Sequence, residues 1–135
     1  MMLKQKTQVE ISTESPESAP VISDGEDSSV FSSLAASLAE IRKLKGVMGY
    51  ILRNNTSAII DLTEQEKLIE WAILFSQISE SSIEIAKQFN LADIESVLVE
   101  GKCVKVLCMS IDDNRIGIFM ERTATHAWII KRILL

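Results

Sequence analysis

Apolar residues in this chain recur with two different periods, and the switches between them divide it into elements. Phe31, Leu34, Leu38, Ile41 and Leu44 repeat at helical spacing and predict a first helix over 30–45. Ser28 or Ser29 stands where a cap belongs and Gly46 where a helix stops; Arg42, Lys43 and Lys45 fall in the last turn, where cations suit the helix dipole. Residues 47–52 and 57–62 read as two strands, joined into a hairpin by Arg53-Asn54-Asn55-Thr56. Thr63 followed by Glu66 has the spacing of a capping box and opens the longest helix, 64–89. Leu68, Trp71, Ala72, Phe75, Ile78, Ile85, Ala86 and Phe89 share one broad face of that helix. Ile69, Ile73 and Ile83 lie on its flank, and Glu66, Glu70, Gln77, Glu84 and Gln88 leave only a narrow polar face. So wide an apolar arc predicts that the helix covers its own sheet and something more, such as a second subunit.

Three further strands follow, over 94–100, 103–111 and 116–121, with a tight turn at Gly101-Lys102 and another at Asp112-Asp113-Asn114-Arg115. Apolar side chains alternate onto both faces of them: Val97 and Val99 against Leu98, Val104 and Val106 against Leu107 and Met109, Ile116 and Ile118 against Phe119. A sheet apolar on both faces is covered on both faces. A short helix over 125–134 closes the chain, capped by Thr123 or Thr125, with Trp128, Ile129, Ile130, Ile133 and Leu134 on its apolar side. The order is helix, two strands, long helix, three strands, helix, without an internal repeat.

Residues 1–29 break the pattern. They carry −4 of the net charge of −5, through Lys4 and Lys6 against Glu10, Glu14, Glu17, Asp24, Glu26 and Asp27, and they hold both prolines and six serines. Such a stretch has too little apolar mass to repay the entropy of ordering, so a disordered acidic tail is expected over 1–29 and one domain over 30–135. A pI near 4.9 disfavours nucleic acid. No apolar run approaches the roughly 20 residues of a membrane helix. The opening residues, Met1 to Glu10, are predominantly polar and predict no secretory signal. Two cysteines, Cys103 and Cys108, make neither a disulfide framework nor a four-ligand zinc site, and a cytoplasmic location is the expectation.

No catalytic constellation emerges, and no cofactor is expected. His126 is the sole histidine and reads as a residue of the surface or of a helix start. Cys103 and Cys108, five apart on one strand, point to opposite sides and read as inert buried thiols. Neither GxxxxGK[ST] nor GxGxxG occurs. Asp112 and Asp113 read as solvated turn formers, with a weak divalent-ion site the less favoured reading. Trp71 and Trp128 read as core, or as interface anchors. No convergent polar groups line the apolar faces to make a ligand pocket.

The order of elements resembles the roadblock/LC7 family over about residues 30–135. Three stretches carry the likeness: Gly46-Val47-Met48-Gly49-Tyr50-Ile51-Leu52 running into Ala58-Ile59-Ile60; the long helix ending at Phe89 with Ile94-Glu95-Ser96-Val97-Leu98-Val99-Glu100-Gly101; and Ile116-Gly117-Ile118-Phe119-Met120 leading to Ala127-Trp128-Ile129-Ile130. The first hairpin has Asn54-Asn55-Thr56 in place of the commoner Asp-Gly, and Asn also tolerates left-handed backbone. The resemblance implies an α/β (α+β) three-layer sandwich of profilin-like architecture. Its five-stranded antiparallel sheet has the order 2-1-5-4-3, with the long helix on one face and the terminal helices on the other. It implies pairing through the long helix and the third strand, with itself or with a paralogous roadblock subunit, and places Ile69, Ile73, Ile83, Ile94, Ser96 and Leu98 at a dimer interface. It further implies a non-catalytic scaffold or light chain that binds or regulates a small Ras-like GTPase. The alternative is a profilin-like or longin-like sensor or adaptor that holds a small ligand or another protein.

Overall fold

A computed structural model describes residues 25–134, so the acidic tail as far as residue 24 lies outside the described residues. The first helix, α1 (Gly25–Arg42), begins earlier than expected and takes Ser28 and Ser29 into its first turns rather than at its cap. It also stops sooner. Lys43 and Leu44 donate to the carbonyls of Glu40 and Ile41, a tightened final turn, and Gly46 reverses the chain at φ +90°.

Strands β1 (Val47–Arg53) and β2 (Ala58–Leu62) form the expected hairpin. Its turn does not use left-handed asparagine. Asn54 instead accepts the backbone N–H of Thr56 and Ser57 on its Oδ1, each at 2.9 Å, so the side chain replaces a turn carbonyl. Gly49 marks a bulge between β1 and β5, where φ is +156° and a Cβ would meet the Asp61 carbonyl at 2.5 Å.

The expected capping box does not form. A single 3-10 turn, Gln65–Lys67, precedes α2 (Leu68–Gln88), and no side chain caps either start. The Thr63 hydroxyl accepts Arg42 Nη2 at 2.7 Å instead, while Arg42 Nε meets Asp61 at 3.4 Å. Those contacts pin the end of α1 to β2. They surround Tyr50, whose phenol burial and the Asp61 carboxylate push above its usual range, against the Arg42 charge. The far end of α2 closes with Asn90 at φ 56° and Leu91 N–H bonded to the Ala86 carbonyl at 3.0 Å, a left-handed helix stop.

Strands β3 (Ser96–Glu100), β4 (Val104–Ile111) and β5 (Asn114–Glu121) precede α3 (His126–Leu134). All pairings are antiparallel, in the order β2-β1-β5-β4-β3. Both faces are covered, as the alternation requires. On one, Leu52, Leu107, Ile116, Ile118 and Met120 are sealed under α1 and α3, with Leu38 and Ile41 of α1 buried against them. On the other, Trp71 and Phe75 of α2 cover Ile51, Leu62, Val106, Cys108 and Phe119.

Alternation sorts the α2 face into three cross-strand rows. Leu62, Gly49, Phe119, Val106 and Val99 form the first, and Ile60, Ile51, Gly117, Cys108 and Val97 the second. Ala58, Arg53, Arg115 and Ser110 form the third. Trp71 stacks on Phe119 with centroids 4.6 Å apart and rings 12° from parallel. Phe75 drops into the gap at Gly117, where an added Cβ would lie 2.6 Å from its Cδ1. Phe75 is fully buried and has no room to yield. Gly117→Ala is therefore expected to cost ~1–3 kcal/mol by overpacking, read as a lower urea midpoint. An unchanged midpoint would mean that Phe75 is not seated there.

Candidate functional site

The outer flank of α2 is bare. Ile69 is 72% and Ile73 54% exposed, and Ile83 is also exposed. Strand β3 pairs only with β4 among the described residues, which leaves its other edge open. Val99 points to the α2 face in the same row as Phe119, yet remains exposed, because the helix crosses the sheet nearer its middle. The open edge and the bare isoleucines thus lie on one side of the domain.

Ile83, Ile94 and Ser96 line a common cleft, whereas Ile69 and Ile73 continue up the helix. Ile94 precedes β3 instead of lying in it. Leu98 turns to the opposite face and packs against the core beneath α1 and α3. Exposure of Ile85 and Phe89 (68% for Phe89) departs from the expected core face. The phase of the helix would bury them, but α2 outruns the apolar rows of the sheet before it reaches them.

Beyond Phe75 the inward stripe of α2 shrinks to Ser79, Ser82 and Ala86, and the sheet beneath changes to its third, polar row. A cleft of about 1030 Å³ opens there. Arg53 and Arg115 stand in register on β1 and β5 and both line it. The Arg53 guanidinium lies 5.6 Å from the Phe75 ring centroid. Its Nε is buried and has no hydrogen-bond partner. Neither arginine forms an ion pair with any described residue, although like charges directly opposite in a sheet destabilise it. The sequence reading, which found no convergent polar groups, missed these two because it placed both in turns. The signal was available in parity: Arg53 continues the phase of Ile51, and Arg115 that of Gly117 and Phe119.

A crystal structure of a roadblock/LC7 domain from Streptomyces avermitilis is similar with a TM-score of 0.59, covering 78% of this chain and 86% of that one at 13% identity. The fold is of the roadblock/LC7 type. No family model and no curated protein matches the chain. The sheet order and helix placement of this roadblock/LC7-like domain are those the sequence resemblance implied.

Other candidates are also placed. His126 opens α3, half-buried, and its Nδ1 accepts the ammonium of buried Lys105 at 3.1 Å, with Glu100 3.9 Å from the same ammonium. Trp71 is core, but Trp128 is 46% exposed, with the Arg132 guanidinium over its ring. Asp112 (φ 55°) and Asp113 form a two-residue hairpin turn, since Ile111 already pairs with Asn114. No three His, Cys, Asp or Glu side chains among the described residues gather to hold a metal, and no helix among them is long and apolar enough to cross a membrane.

The two thiols differ, contrary to the expectation that both are buried. Cys103 is exposed just before β4, whereas Cys108 is buried and its thiol is pushed up to about 12 by desolvation. Because the thiolate is the reactive form, Cys108 stays protonated and shielded at pH 8. Native protein at that pH is expected to react with one equivalent of a disulfide reagent, at Cys103, and with a second only after unfolding. Two rapid equivalents in the native state would contradict the burial of Cys108.

Proposed function

We propose that this chain is a non-catalytic dimeric scaffold, pairing through α2 and β3, whose assembled surface binds or regulates a small Ras-like GTPase. The single observation that carries the pairing is the open edge of β3 beside the exposed Ile69, Ile73 and Ile83. An open edge strand is a template for another strand, and contiguous exposed isoleucines are a cost in water. A two-fold axis beside β3 relieves both at once, because each protomer offers the same edge and the same flank to the other. The sheets then join into one.

The magnitudes set what each part contributes. Six isoleucines of a two-fold pair supply at most roughly 1.5–3 kcal/mol each on full burial. That total is of the same order as the roughly 4–15 kcal/mol that association costs. The flank alone leaves little net affinity, so backbone pairing along β3 supplies the remainder and sets the register. Ile94 and Ser96 stand at the start of that edge. A non-catalytic role accords with the single histidine and its engagement by Lys105. The GTPase half rests on the family resemblance.

Light scattering of the purified chain is expected to give twice its 15.0 kDa mass. Ile69→Glu with Ile73→Glu is expected to halve it without changing the circular dichroism spectrum, since both side chains are exposed. A folded parent of single-chain mass would remove the self-pairing. For the regulatory half, immobilised dimer should retain a small GTPase from native lysate in a nucleotide-dependent way; recovery of none would leave a scaffold without that partner.

A further inference from the structure

The cleft beneath the C-terminal half of α2 has a floor that the protein's own groups leave incomplete. Arg53 and Arg115 lie side by side across β1 and β5, half-buried, with no ion pair to any described residue. The Arg53 Nε–H is shut from water and donates to nothing. The Phe75 ring, 5.6 Å away, offers a cation–π contact but no hydrogen-bond acceptor in the guanidinium plane. Two guanidinium groups that share a concave site, their Nη donors unpaired by any described residue, present the fork geometry that an oxyanion fills.

We propose that this cleft binds a small molecule by a phosphate or carboxylate group seated between Arg53 and Arg115. Ser110 stands next to Arg115 in the same row and adds a hydroxyl donor, and Lys87 on the α2 wall adds a third cation. The small side chains of Ser79, Ser82 and Ala86 leave the space, and about 1030 Å³ suits a metabolite-sized ligand.

Apart from Lys87, the charged side chains in the exposed part of the lining have the opposite sign. Asp93, Glu95, Asp112 and Asp113 all lie there, and the chain as a whole is acidic. An extended polyanion, such as nucleic acid or an anionic membrane, meets those carboxylates first. A compact ligand with one anionic head passes them to reach the arginines, and any cationic or hydroxyl groups it carries are matched by the acids behind it.

The test is an NMR titration of the ¹⁵N-labelled full-length chain, following the arginine Nε–Hε resonances. Inorganic phosphate and acetate form two arms, and sodium chloride at matched ionic strength the control. The Arg53 resonance, identified by its loss in Arg53→Lys, is expected to shift saturably with phosphate or acetate and not with chloride. The arm that saturates at lower concentration names the ligand's anionic group. Arg115→Gln, at a half-exposed position at the end of the sheet, is expected to weaken binding about tenfold or more, the loss of a charged hydrogen bond. Lys43→Gln, on the exposed surface after α1, is expected to change nothing. Shifts that rise linearly and equally in chloride would overturn the proposal, and so would a phosphate or acetate curve unaltered by Arg115→Gln. If Arg115→Gln lost its native spectrum, Arg53→Lys would decide: it keeps the charge and removes the guanidinium fork, and an undiminished shift of the Arg115 Nε–Hε resonance in that variant would also overturn the site.

Discussion

Gly117 is where the long helix touches the sheet, and most of the architecture follows from that contact. Without a side chain at this point, Phe75 descends onto the backbone of the central strand, and Trp71, one turn earlier, lies flat on Phe119. Two aromatic residues held against one strand fix the height, position and direction of α2. The other face of the same strand, Ile116, Ile118 and Met120, is sealed under α1 and α3, so β5 is gripped from both sides. A strand held in this way has no slack, because buried side chains at crystal-like density transmit a displacement rather than absorb it.

Two surfaces result from where that contact places the helix. Seated over the middle of the sheet, α2 does not reach β3, so the edge strand keeps an open side and Val99 an exposed side chain. Running on past the second row, α2 leaves its apolar floor and spans a polar one. There the sequence switches to Ser79, Ser82 and Ala86 above and to arginines below. The first surface carries exposed isoleucines beside an open strand edge. The second is concave and lined by charged side chains. They meet where Ile83, Ile94 and Ser96 line the cleft next to the strand edge.

The electrostatics of the domain divide along the same line. Lys105 carries its charge into the interior, and Arg42 and Asp61 theirs into half-buried positions, but each has a partner within reach. Arg53 and Arg115 do not, and they lie together. Buried cations in a folded domain are ordinarily neutralised; this half-buried pair has no counter-charge among the described residues, which is the observation the proposed anion site rests on.

Alternation and helical periodicity alone determined the element order, the identity of the long helix and the two-sided burial of the sheet. Those features depend on local spacing: side chains two apart on a strand, or three and four apart on a helix, share a face whatever lies opposite. Residues such as Leu38, Phe75, Leu107 and Ile118 were legible as core for that reason. The flank of Ile69, Ile73 and Ile83 was legible too, as apolar mass in excess of one face. Local chemistry misled where another group competed for the same atoms: the Thr63 hydroxyl accepts from Arg42 instead of capping α2, and Asn54 turns the hairpin with its side chain instead of its backbone. The exposure of Ile85, Phe89 and Trp128 went against their apolar phase, because helical phase says which way a side chain points and not whether the structure it faces extends that far. The meeting of Arg53 with Arg115, more than sixty residues apart in sequence, belongs to strand pairing. Register between strands distant in sequence is a property of the assembled sheet, and only the tertiary structure decided it.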